Sequence, residues 1–236
     1  MGKCVLIDSI AIEYAFELQG GEKFEYLLEL DPKSLGLIGK GDQPPKWAAL
    51  DVGQCSCCPL VSKSSPNCPI AVNLATLLDY FKDVKSFVET DIVVRTKERT
   101  YVKKTSLQKG LFSIFGVIMA TSGCPSMDFL KPMARFHLPF ATKEETIVRS
   151  VSIYLLRQYF VHMQGNTPDL ALNDLDERYK KIHLLNKGFV QRIEQIKKNG
   201  DVDRNSIVIL DCFSQTLSMS ISENLTDIAY LFQNGE

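Results

Sequence analysis

The chain has 236 residues, 45% of them apolar and 23% charged, with a formal net charge of −1. That is the composition of a globular protein long enough to bury a sizeable core, and a near-zero charge supplies no field to gather nucleic acid or an anionic membrane. The longest apolar run, LFSIFGVIMA, is about half of a bilayer span and is interrupted by Ser113 and Gly116, so no transmembrane helix is expected.

The opening, MGKCVLIDS, begins like a myristoylation signal but has Leu6 where that signal wants Ser or Thr. It lacks the basic, apolar and small-residue succession of a signal peptide. Seven cysteines, an odd number, in such a chain point to reduced thiols and a cytoplasmic location. Residues 10–30 read as a β-hairpin. Ile10, Ile12, Tyr14, Phe16 and Leu18 alternate with Ala11, Glu13, Ala15 and Glu17, and after Gly20-Gly21 the alternation resumes with Phe24, Tyr26, Leu28 and Leu30. The even-numbered residues should face the core.

Residues 31–51 are rich in Pro and Gly and read as irregular. After the cysteine stretch, 70–82 reads as a short apolar helix. A second hairpin is expected over 86–104, with Val88, Ile92 and Val94 in one strand and Thr100, Tyr101 and Val102 in the other. Beyond it the chain turns helical. Thr105 or Ser106 can cap a helix ending near Thr121, with Gly123 as its stop. Thr142 and Glu145 form a capping box. Thr167-Pro168-Asp169 should open the next helix, with Leu172, Leu175, Tyr179, Ile182, Phe189, Ile193 and Ile196 on one stripe, Asn186 in its seam and Gly200 at its end. A last helix starts near Asp203 and breaks between Ser222 and Thr226. Strands segregated from helices mean an α+β fold: an antiparallel sheet of about four strands, built from two hairpins, against a C-terminal bundle of about four helices, in one domain spanning 1–236.

Four of the cysteines fall within residues 55–68 of the stretch VGQCSCCPLVSKSSPNCPI. Cys55 and Cys58 form a C-x2-C pair with Cys57 inside it, and such a pair brings two thiolates to one ion from a single turn. A tetrahedral zinc site needs two more ligands; Cys68 is the third candidate, and Cys124 or His137 the fourth. Cys58, Cys68 and Cys124 are each followed by Pro, a dipeptide also found at iron–sulfur ligands, although the ferredoxin spacing is absent. Free thiols and a redox pair are the remaining readings. Cys4 and Cys212 read as core residues.

The words CPIAVNL, the Gln108–Pro125 stretch ending TSGCP, ARFHLPFA and SIYLLRQYF resemble the signatures of a family of uncharacterised bacterial proteins, a domain of unknown function. The resemblance spans roughly Gln54 to Gly165, and the first hairpin more loosely. It implies a bacterial cytosolic protein in which Cys55, Cys58, Cys68, Cys124 and His137 occupy motif positions. Cys57 departs from the pattern and is not expected to be an essential ligand. No activity is implied.

His137 stands in an extended segment between Pro132 and Pro139, where an imidazole can be a core hydrogen-bonding group, a metal ligand or a general base. A Cys124/His137 pair could serve as nucleophile and base, although a thiol just past a helix C-terminus faces the negative end of the dipole. Glu145 and Arg149 form an i, i+4 pair, and His162 and His183 read as surface or packing residues. Basic residues cluster at Arg95, Lys97, Arg99, Lys103, Lys104 and Lys109. Arg99 and Lys103, with Tyr101, would share a strand face, and Lys104 adds to a weak anion platform that competes with a plain solvated face.

The function expected is a non-catalytic binding or regulatory module in a bacterial cytoplasm, with a structural zinc-type cysteine site and a protein partner or small ligand, acting on neither membrane nor nucleic acid. The alternatives are an iron–sulfur redox protein on the same cysteines and a Cys124/His137 enzyme.

Overall fold

The computed structural model describes residues 9–39, 44–196 and 199–233. Four antiparallel strands, β1 (Ile10–Leu18), β2 (Lys23–Leu30), β3 (Glu89–Arg95) and β4 (Thr100–Ser106), form one sheet in the order β2-β1-β3-β4. The fold is α+β, as the strand and helix patterning implies. The first hairpin turns at Gly20 and Gly21, whose φ angles of 142° and 84° suit residues without a Cβ. Pairing sets Phe16 opposite Phe24, Tyr14 opposite Tyr26 and Ile12 opposite Leu28. Strand β1 then pairs with β3, placing Phe16 opposite Ile92 and Tyr14 opposite Val94.

Period two decides the two faces. Ile12, Tyr14, Phe16, Leu28, Ile92 and Val94 are buried, whereas Phe24 and Tyr26, on edge strand β2, are half-buried. The other face is charged. Glu13 pairs with Arg95 at 2.9 Å, Glu17 with Lys23 at 3.0 Å and Glu89 with Lys104 at 3.0 Å. Of these, the Glu13–Arg95 pair joins the acidic face of the first hairpin to the basic cluster of the second. These pairs are exposed, and each contributes little stability.

Helix α1 (Pro69–Phe81) starts with Pro at its first position, where the missing N–H is not needed. It buries Ile70, Leu74, Leu77, Leu78 and Phe81, and the Phe81 ring stands edge-on to Phe16 and Phe24. Helix α2 (Leu107–Thr121) is apolar nearly all round and forms the middle of the core. It crosses the sheet so closely that a Cβ on Gly110 would stand 2.2 Å from Ile92 Cδ1. The short α3 (Lys131–Arg135), α4 (Lys143–Met163), α5 (Asn173–Ile193) and α6 (Val202–Ser222) follow. The capping box of α4 is complete: Thr142 N–H donates to Glu145 Oε2 at 2.7 Å, and Glu145 N–H donates to Thr142 Oγ1 at 3.2 Å. Asn186 is buried in the α5 seam and donates through Nδ2 to Asp211 Oδ1 at 3.4 Å.

Three local expectations are corrected. Helix α5 begins at Asn173 rather than at Pro168. The Asp169 carboxylate accepts from Asp174 N–H and from the Tyr154 hydroxyl, both at 2.8 Å, and Leu172 has a φ of 62°, so the chain cannot be helical back through it. At the other end α5 stops at Ile193. Gly200 instead lies against the turn after α1, where its N–H donates to Lys82 O at 2.9 Å and a Cβ would meet Val84 O at 2.3 Å. Cys212, read as core, is exposed on α6; Cys4 lies outside the described residues. Among the described residues no helix is long and apolar enough to cross a membrane.

Candidate functional site

The cysteine segment is held by backbone geometry at its base and by α5 along its length. Cys68 N–H donates to Ala48 O and Leu50 N–H to Pro66 O, both at 2.8 Å, closing a loop between them. Within it, Cys58 N–H donates to Cys55 O at 3.0 Å, which is the tight turn a C-x2-C pair requires. The loop lies on one stripe of α5, Lys181, Leu185, Gly188 and Arg192, spaced three and four apart. The Cys55 thiol faces Leu185 O at 3.7 Å and the Cys57 thiol faces Lys181 O at 3.5 Å. A Cβ on Gly188 would lie 3.0 Å from Cys55 Cα, so only glycine lets the loop lie this close. Arg192, 1% exposed, donates through Nη1 to Trp47 O at 2.9 Å and Ala49 O at 2.6 Å, and through Nη2 to Leu50 O at 3.1 Å.

Thiols from three parts of the chain feel one another here. Burial, and then the charges of Cys68, Cys57, Cys58 and Cys124, push the Cys55 thiol up to about 12. Cys124, just beyond α2 and past Gly123 with its φ of 88°, is likewise pushed up to about 12, first by burial, with Cys68 and Cys58 adding to it. Cys68 is buried at the N-terminus of α1. Among the described residues no three His, Cys, Asp or Glu side chains are placed to share a single metal ion.

His137 is engaged elsewhere. It follows α3, with Pro132 inside that helix rather than beside an extended strand, and its Nε2 is 2.5 Å from the Tyr14 hydroxyl. That hydroxyl also meets Ser113 Oγ at 3.0 Å, so a buried tyrosine of the sheet joins the histidine segment to α2. No hydrogen bond joins Cys124 to His137. Burial, helped by the Arg149 charge, pushes the His137 pKa down to about 3. Because this folded-state value lies below the unfolded one of about 6.5, the folded chain holds fewer protons between them. Its contribution to stability is present above about pH 6.5 and is lost as the pH falls toward 3. Urea titrations across this window should therefore show stability falling with pH, and His137→Gln should flatten the slope. An unchanged slope in that variant would assign the acid sensitivity to other groups.

The three candidate anion-binding residues do not converge. Lys103 lies opposite Ile92 and Lys104 opposite Asp91, so the two project from opposite faces of β4. Lys103 Nζ sits 5.7 Å from the centre of the Phe140 ring, Lys104 pairs with Glu89, and Arg99 belongs to the turn before β4, where its N–H donates to Thr96 Oγ1. His183 is a half-buried packing residue on α5, its Nδ1 meeting Asp211 Oδ1 at 2.9 Å.

Residues 12–233 match the family described as Domain of unknown function (DUF6901). The chain belongs to this family. The match takes in both hairpins, the cysteine loop, α2, the His137 segment and the α5–α6 pair, well beyond the motif words in the middle of the chain. No curated protein and no solved structure matches the chain.

Sequence reading missed Tyr14 as the histidine's partner, and Gly188 and Arg192 as the bed of the cysteine loop. A mid-helix glycine with no capping role, and an arginine next to the apolar stripe one turn later, were the available signals. Helix α4 adds a surface feature: Leu156, Tyr159, Phe160 and Met163, at helical spacing, are all more than half exposed.

Proposed function

We propose that this chain is a non-catalytic binding or regulatory module of a bacterial cytoplasm in which Cys55, Cys58, Cys68 and Cys124, which do not converge on one point in the described structure, draw together around a thiophilic metal of the zinc type when it binds. What supports it is the C-x2-C turn closed by Cys58 N–H to Cys55 O at 3.0 Å, with buried Cys68 at the start of α1 and buried Cys124 at the end of α2 close enough to raise the Cys55 thiol. An all-thiol donor set suits zinc, and a cation at this point would offset the desolvation that holds Cys55 and Cys124 protonated. Cys124, not His137, completes the set in this reading, because His137 is bonded to Tyr14. The bound ion would link three separated segments, so its binding free energy would add to folding. The exposed apolar stripe of α4 supports a protein partner.

An iron–sulfur cluster is the second reading. Its thiolate ligands stand farther apart than those around one ion, because iron and sulfide atoms lie between them. That larger spacing is compatible with thiols that influence one another although, among the described residues, no three are placed around a single ion. Metal analysis and an absorption spectrum of freshly purified protein separate the readings. Zinc in stoichiometric amount in a colourless protein, with a lower Tm after chelation, supports the first. Iron with broad visible absorption supports the second. Cys124→Ser should abolish metal retention while Cys212→Ser leaves it unchanged. Metal-replete protein containing neither element, with Cys124→Ser no different from Cys212→Ser, would sink both.

A further inference from the structure

We propose that the cavity between α2, α3, the start of α4, α5 and α6 is a binding site for a small apolar carboxylate about the size of benzoate. The proposal is independent of the thiol centre. The cavity has a volume of about 150 Å³ and walls made mainly of apolar side chains, among them Val117, Met127, Met133, Leu138, Leu210 and Phe213. An apolar cavity of about that size can stay dry and accept a benzene ring, and methionines let such walls adapt to an occupant.

Arg149 supplies the polar end. It lines the cavity, half-buried, and its Nη2 donates to Met133 O at 3.0 Å and Phe136 O at 2.7 Å. Those two bonds fix the guanidinium at the wall. Its Nη1 and Nε make no hydrogen bond, and no carboxylate stands within 4.0 Å of it, among the described residues; Glu145 acts on it only at longer range. Burial therefore weighs on a cation that lacks a counter-ion. With Nη2 committed to the two carbonyls, the Nη1 and Nε donors lie on different edges of the guanidinium, so each can give a carboxylate one charge-assisted hydrogen bond rather than a fork. The other ionisable side chain on the lining that could compete as a cation is His137, and burial keeps it neutral at ordinary pH. An apolar cavity of one-ring volume bordered by a fixed, unpaired guanidinium selects a ligand with an apolar body and one anionic group.

Isothermal titration and ligand-observed NMR with benzoate and its uncharged isostere benzamide test this, on protein of known metal content so that the thiol centre does not enter the comparison. Benzoate should bind at least about tenfold tighter than benzamide, a difference of about 1.4 kcal/mol. Arg149→Met should remove that preference. Because this change also frees the carbonyls of Met133 and Phe136, a second variant is needed. Ala141→Leu narrows the cavity with Arg149 intact, and should lose benzoate binding while keeping the far-UV spectrum and a cooperative thermal transition. The proposal is overturned if neither compound binds at millimolar concentration, if benzamide binds as well as benzoate, or if both variants bind benzoate like the parent chain.

Discussion

Arg192→Met is expected to destabilise the fold by about 3 kcal/mol or more in urea titration, since a hydrogen bond to a charged group is worth about 1.5–3 kcal/mol. The side chain is among the largest that are fully buried, and it makes three hydrogen bonds to the carbonyls of Trp47, Ala49 and Leu50. Methionine fills much of the volume but donates nothing, so the buried Leu50 carbonyl and the half-buried Trp47 and Ala49 carbonyls would lose their partners. Among the described residues no other side chain donates to the carbonyls of residues 47–50. Amide exchange should therefore rise across residues 47–68 more than in the sheet. Arg192→Lys keeps the charge and loses the fork, and should fall between the two. A loss below about 0.5 kcal/mol, typical of a surface change, would mean that the loop is held by something else.

Phe16→Ala should cost about 3–5 kcal/mol, the usual range for emptying an aromatic core site. Phe16 is 1% exposed. Its ring centre lies 5.8 Å from that of Tyr14 and 5.7 Å from that of Phe81, and it stands opposite Ile92 on the neighbouring strand. The sheet, α1 and α2 all meet around it, so the surroundings are fixed by several elements and cannot close over the gap. Glu17→Ala, one residue on, is the control. Glu17 is on the outer face and its pair with Lys23 is exposed, so the change should stay within about ±0.5 kcal/mol. Equal losses at the two positions would contradict the alternation of the hairpin. Calorimetry on both variants also tests the sheet-to-helix packing, since ΔH should fall with Phe16→Ala and not with Glu17→Ala.

The elements were legible where a local rule dictated them. The alternation around Gly20-Gly21, the capping box at Thr142 and Glu145 and the apolar seam containing Asn186 each follow from contacts within a few residues or within one period of an element. The rules failed where a distant partner intervened. Pro168 offered a good helix start, but the Asp169 carboxylate is committed to Tyr154 and to Asp174 N–H, which moves the helix start to Asn173. Gly200 offered a good stop, but its small size serves the contact with Val84, contributed by the turn after α1.

The candidate site divides the same way. Spacing alone pointed to the Cys55–Cys58 turn, because that turn is closed by a bond between the two residues themselves. Which residues would stand beside Cys68 was not in the spacing. Only the packing of α1, α2 and the loop puts Cys124 within electrostatic reach and leaves His137 with Tyr14, 123 positions away in sequence. The bed under the loop was hidden for the same reason: Gly188 and Arg192 look like ordinary helix residues until a distant backbone, 142 and 143 positions earlier in the case of the Leu50 and Ala49 carbonyls, lies across them. The sequence by itself determined the strands, most helix ends and the inward faces, since these obey periodicities of two and 3.6 residues. Tertiary structure alone decided which side chains share a site, because that depends on contacts between residues far apart in the chain, which no local pattern encodes.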